Sequence, residues 1–255
     1  FMVLRRMSLM GDAMSHAVLP GVALGFLLFG LDLWPMALGG LVASLAVALL
    51  AGLVSRLTPL KEDASLAGFY LISLSAGVLI VSLRGSNIDL LHILFGSILG
   101  VDDKSLILVA AAATLTLLVF AAIYRPLVVE CFDPGFLRVV GGRAGAFAHL
   151  AFLVLVVVNL VAGMQALGTL MSVGLLLLPA AAARLWAGSV GGLMATTSGI
   201  AMIASLLGLV LSYDLNLPSG PAIVLVAGLL YVGSVLFGSR GGLIRRYLPR
   251  PHLAH

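Results

Sequence analysis

The stretch Ser8-Leu-Met-Gly-Asp-Ala-Met-Ser-His-Ala-Val-Leu-Pro-Gly21 decides how the rest of the chain is read. It sets a carboxylate, Asp12, and an imidazole, His16, four residues apart at the entrance to an apolar segment. On a helix that spacing stacks both side chains on one face. Pro20 follows four residues later and has no N–H for the carbonyl of residue 16, which predicts a kink one turn above the histidine. Gly21 and Gly25 form a small-xxx-small pair through which another helix can pack closely. Two ionisable ligand types, a freed carbonyl and a close-packing face describe a polar site inside a membrane protein.

Composition places the rest of the chain in lipid. Hydrophobic residues make up 62% of the 255 and charged ones 9%, with a mean hydropathy of +1.21. A soluble domain carries about 25% charged residues. In a bilayer only helices and closed barrels satisfy the backbone, and the apolar runs here are continuous, not alternating. The expected fold is therefore an all-α integral membrane protein. Eight apolar segments are read at 13–30, 33–55, 66–83, 105–124, 148–167, 169–183, 189–211 and 221–238. Most reach the roughly 20 residues needed to cross the ~30 Å hydrocarbon core. The 169–183 segment is short, which predicts a tilted, broken or re-entrant helix. The run Ile88 to Gly100 is shorter still and is read as a partial insertion or interfacial helix. A polytopic bundle of about eight transmembrane helices, forming a single domain over residues 1–255, is the result.

The placement of charge supports that division. With a cytoplasmic C-terminal tail and eight alternating spans, only Arg84 and Lys104 of the 14 basic residues fall outside. That asymmetry follows the positive-inside rule. It also explains the net charge of +4 without invoking nucleic acid. Two inner stretches read as docking surfaces. One is Arg125 to Arg143, with Glu130, Asp133-Pro-Gly135 and Arg138. The other runs from Arg184 to about Ala195 and contains Gly188, Gly191 and Gly192.

Several chemistries are excluded. Cys131 is the single cysteine, so no intrachain disulfide and no thiolate metal cluster can form. There is no His-Glu-x-x-His zincin motif and no Gly-x-x-x-x-Gly-Lys-Ser/Thr phosphate loop. A subunit that hydrolyses ATP by itself is thereby ruled out, and any energy source is external. The chain opens at Phe1 without a signal-peptide pattern, and a further span is expected upstream.

The candidate residues each have a plainer reading. Asp12 can cap a helix that begins near Ala13, with His16 as an ordinary polar packing residue. Alternatively, a helix running from Arg6 carries His16 about 15 Å into the membrane, where an ionisable group is functional by default. A neutral imidazole with a carboxylate suits a divalent transition metal but does not choose among zinc, manganese and iron. His92, Asn159 and Gln165 are possible pathway residues. For the first, an interfacial hydrogen bond is the simpler account, and for the other two a bond between helices is. Pro179 frees the carbonyl of Leu175 and is expected to bend its segment.

Leu4 to Gly21 resembles the signature of the permease subunits of bacterial zinc and manganese ABC importers. The resemblance continues through Lys61-Glu-Asp-Ala64, Leu91-His-Ile-Leu-Phe-Gly-Ser97, Cys131-Phe-Asp-Pro134 and Gly168 to Arg184, covering nearly the whole chain. It implies a pore in the bacterial cytoplasmic (inner) membrane, related to the cobalamin and siderophore permeases. The pore would be formed by a homodimer or by a pair of similar permeases. Two cytoplasmic ATPase subunits would bind below and an extracytoplasmic metal-binding protein would dock above. No permanently bound cofactor is implied; zinc, manganese or iron would be cargo. By the same resemblance Asp12 and His16 contact the permeating ion, while Arg184 to about Ala195 matches a coupling region whose short helices fit a cleft on the ATPase. Two rivals stand beside this: a permease for a metal chelate such as a siderophore, and a membrane scaffold in which the Asp–His pair is structural.

Overall fold

The computed structural model describes residues 1–4, 8–30, 32–58, 62–83, 101–132, 143–240 and 242–244. These residues form nine helices: α1 (Ser8–Ala17), α2 (Leu19–Phe29), α3 (Leu33–Leu57), α4 (Glu62–Leu83), α5 (Asp103–Phe132), α6 (Arg143–Leu167), α7 (Thr169–Arg184), α8 (Val190–Leu215) and α9 (Ser219–Phe237). Each of the eight apolar segments corresponds to one of them, with the first divided into α1 and α2. Among the described residues, six stretches have the length and composition to cross a membrane, the first being Met10–Phe29 across the α1–α2 junction. The remaining two, Ala64–Ile80 within α4 and Thr169–Arg184, are shorter apolar helices. The chain is an all-α polytopic membrane protein. The run Ile88 to Gly100, with His92, lies outside the described residues, as do residues 133–142 of the first inner stretch.

Two boundaries differ from the apolar runs. Helix α5 continues past residue 124 through Arg125 and Pro126 to Phe132. The internal Pro126 does not end it, and Leu127 in the following turn is fully buried. Its 30 residues measure about 45 Å, long enough to project beyond the bilayer. Between α7 and α8, residues 185–189 are turns and bends, with no separate short helix.

The chain divides into two compact units, Phe1–Thr169 and Leu170–His255. In the first, α2 and α3 cross with almost no side chain between them. A Cβ at Gly21 would collide with the Gly39 carbonyl, and one at Gly25 would lie 2.6 Å from the Pro35 oxygen. Only hydrogen at these positions lets the two backbones touch, and the small-xxx-small pair accomplishes this. Helix α6 forms much of this unit's interior through Val157, Leu160 and Val161. The long α5 instead exposes Leu117 and Leu118, as lipid-facing or partner-facing surface does.

In the second unit, α8 and α9 meet where Gly208 faces the backbone of Ile223, whose side chain is fully buried. Gly174 of α7 lies against Val224 of α9, where a Cβ would be 2.8 Å from Cγ2. Ser189 caps α8 by accepting a hydrogen bond from the Gly192 N–H at 3.1 Å.

Candidate metal centre

Helix α1 carries the candidate ligands on the face turned away from its own core. Met10, Met14, Ala17 and Val18 are buried along one side, as a 3.6-residue repeat requires. Asp12 and His16 occupy the opposite side, with side chains 60% and 35% exposed. An exposed carboxylate on an apolar helix lacks a packing role. The His16 Nε2 to Asp12 Oδ1 distance is 3.8 Å, too long for a hydrogen bond. Two ligand bonds of about 2.1 Å each span up to ~4.2 Å, so one cation can bridge the pair. No group of three or more His, Cys, Asp or Glu side chains occurs among the described residues. A cation held by this pair would need further ligands from outside these side chains.

The backbone around the pair is held from several directions. Ser15 is buried and donates to the Asp12 carbonyl at 2.7 Å. Helix α1 stops at Ala17 and α2 starts at Leu19, with Pro20 in its first turn. Pro20 cannot donate to the His16 carbonyl, which interrupts the ladder. Val18 keeps helical angles (φ −66°, ψ −33°), so α2 follows α1 with no loop between them. Across the break, the Ser73 hydroxyl of α4 donates to the Ala17 carbonyl at 3.1 Å. The Tyr70 ring stacks on the His16 imidazole, with centroids 6.0 Å apart and planes at 27°. Tyr70 and Ser73 were not legible as site residues, since nothing local in the sequence ties them to residues 16 and 17.

The other candidates lie apart from this pair in chain position and chemistry. Asn159 Nδ2 donates to Thr116 Oγ1 at 2.6 Å and to the Leu155 carbonyl at 2.8 Å, tying α6 to α5. Gln165 Nε2 is buried and has no hydrogen-bond partner. Such a group costs about 1–3 kcal/mol unless water or cargo satisfies it. Pro179 lies inside a continuous α7.

Arg184, Gly188 and Gly191 are exposed at the α7–α8 connection, and Gly192 is in the first turn of α8. That connection is clasped by the end of α9. The Arg240 N–H donates to the Leu185 carbonyl at 2.9 Å, and the Ser239 hydroxyl donates to the Trp186 carbonyl at 3.3 Å. The Arg240 guanidinium also packs over Gly188.

The fold is a multi-span helical bundle with an exposed carboxylate–imidazole pair on its first helix, as a membrane transport protein could use. The sequence matches the ABC 3 transport family over residues 1–238, and the chain belongs to that family. It is 37% identical over 232 residues to the manganese import system permease protein ScaB of Streptococcus parasanguinis, covering 91% of this chain and 81% of that one. The chelated iron transport system membrane protein YfeD of Yersinia pestis is 31% identical over 237 residues, covering 93% of this chain and 78% of YfeD. Among solved structures, PsaBC from Streptococcus pneumoniae in complex with Fab superposes with a TM-score of 0.80 at 34% identity. That match covers 97% of this chain and 86% of the other. The chain is a permease subunit of the ABC metal importers, and ATP hydrolysis resides in a separate subunit.

Proposed function

We propose that this permease imports manganese across the bacterial inner membrane and that Asp12 and His16 contact the ion in transit. The observation that carries the reading is the exposed pair itself, 3.8 Å apart on a helix whose other side is buried. Manganese accepts carboxylate and imidazole ligands, and the similarity to ScaB supports it as cargo. Two ligands are too few for a divalent ion, which favours a homodimer presenting a second Asp12 and His16 across the pore. A site of four such ligands, open to water at its remaining positions, binds the ion well enough to select it and weakly enough to release it.

In this scheme residues 1–255 act as one permease domain. An extracytoplasmic binding protein delivers the metal, and cytoplasmic ATPases dock on residues 184–195. The buried, unpartnered Gln165 amide supports a place for that residue on the route. His92 is a further candidate, whereas the bonds of Asn159 favour a tie between helices.

The test is manganese uptake into vesicles holding the complete importer, with wild type compared with Asp12→Asn and His16→Ala. Collapse of uptake in complexes that assemble and still hydrolyse ATP is expected. Unchanged uptake would return the pair to a structural role. The similarity to YfeD favours one alternative, a chelate as cargo. Competition between free manganese and chelated iron separates the two.

A further inference from the structure

Helix α1 carries both candidate ligands and joins α2 through Val18, which keeps helical angles, while the Pro20 donor to the His16 carbonyl is missing. The helix ladder lacks a bond at this junction, so contacts from a neighbouring helix bear directly on the turn that carries His16. One stripe of α4 touches the chain at three successive points across the break. The Tyr70 ring lies on the His16 imidazole, and the Ser73 hydroxyl donates to the Ala17 carbonyl. Gly77 admits the backbone of Leu19 and Pro20, where a Cβ would be 3.2 Å from the Leu19 carbonyl carbon and 2.9 Å from the Pro20 nitrogen. Positions 70, 73 and 77 follow the i, i+3, i+7 spacing of a single helix face.

Each contact uses a different property. Ser73 is buried, and its hydroxyl reaches across 56 residues of chain. Gly77 is closed to any side chain without moving a backbone. Tyr70 presents its ring to the His16 imidazole in a roughly parallel orientation. All three fall on residues 16–20, the turn that carries His16 and the junction after it.

We infer that α4 is the positioning element of the ion site: Tyr70 sets the plane of the His16 ring, and Ser73 and Gly77 fix the broken backbone that carries it. The inference rests on the reading of Asp12 and His16 as ion ligands. Removing a group that orients a metal ligand typically costs about 10–100-fold in affinity for the metal or in activity.

The experiment measures initial rates of Mn2+ uptake against Mn2+ concentration in proteoliposomes containing the complete importer, with ATPase activity followed in parallel. Wild type is compared with Tyr70→Phe, Tyr70→Leu, Ser73→Ala and His16→Ala. Tyr70→Phe keeps the ring and should retain the wild-type KM. Tyr70→Leu and Ser73→Ala should each raise KM by about ten-fold, the lower end for ligand-orienting groups, with maximal rate and ATPase activity retained. The inference is overturned if His16→Ala loses uptake while Tyr70→Leu and Ser73→Ala keep the wild-type KM. A fall in maximal rate at unchanged KM also overturns it, since that marks a merely structural role. Unchanged transport by His16→Ala brings down the ligand reading, and this inference with it. Should Tyr70→Leu fail to assemble, Ser73→Ala decides alone, since it removes a single hydroxyl.

Discussion

Replacing Gly21 by Ala should loosen the α2–α3 pair that adjoins the Asp12–His16 segment. The new Cβ would run into the Gly39 carbonyl and lie 2.8 Å from the Ala43 Cβ. The neighbouring contact gives the scale of the movement required. A Cβ at Gly25 would be 2.6 Å from the Pro35 oxygen, where ordinary contact begins at 3.4 Å, so the backbones would have to part by about 0.8 Å. At Gly21 the separation must be greater. Backbone atoms cannot rotate aside as a side chain can, which places the cost near the upper end of overpacking, about 3 kcal/mol. Alanine returns about 1 kcal/mol of helix propensity, leaving a net loss of about 2 kcal/mol. For a chain of this length that corresponds to a fall of roughly 4–8 °C in Tm. The assay heats detergent-purified protein and follows the monodisperse fraction by size exclusion. Gly68→Ala is the control, since its Cβ meets nothing within 4 Å, and it should hold or raise the midpoint. If Gly21→Ala melts at or above the wild-type temperature, the helices do not cross in backbone contact at this point.

Other outcomes are accessible with the same protein. At the α7–α8 connection, Gly238→Ala should destabilise, because its Cβ would meet the Ser234 carbonyl at 2.6 Å and the Leu185 carbonyl at 3.0 Å. Gly188→Ala should be nearly neutral, since it displaces only the mobile end of Arg240; thermal melts of both variants decide. A double-mutant cycle on Asn159→Ala and Thr116→Val should show coupling of about 0.6 kcal/mol, the average for hydrogen bonds between membrane helices. Additivity would dissolve that tie. At the start of α5, hydrogen bonds from the Ser105 side chain and backbone N–H hold the Asp102 carboxyl below its usual range. A lowered native value means this stabilisation is present above about pH 4 and is lost as pH falls through the native value. Amide exchange over residues 103–106, corrected for intrinsic rates, should therefore lose protection in acid. Asp102→Ala should lack that pH dependence.

The helices were legible because a backbone in lipid has to bond within its own segment. Long apolar runs therefore marked α2, α3, α5, α6, α8 and α9 without any knowledge of their neighbours. The apolar run marked only part of one element, because a helix need not end where its apolar run does: α5 runs on through Arg125 and Pro126 to Phe132. The candidate ligand pair was legible for a similar reason. Residues 12 and 16 share a face because helix geometry is local. The pairing of Asn159 with Thr116 needed the fold, since 43 residues separate them.

What the sequence by itself determined was therefore the membrane class, the helical segments, the spacing of Asp12 and His16 and the missing donor at Pro20. All of these depend on interactions within a turn or two of one helix. The tertiary structure decided which side of α1 is buried, that Gly21 meets Gly39, and that Tyr70, Ser73 and Gly77 bear on the break after His16. Such contacts join residues tens of positions apart, and they exist only once close packing has brought separate helices together. No periodicity along the chain encodes them.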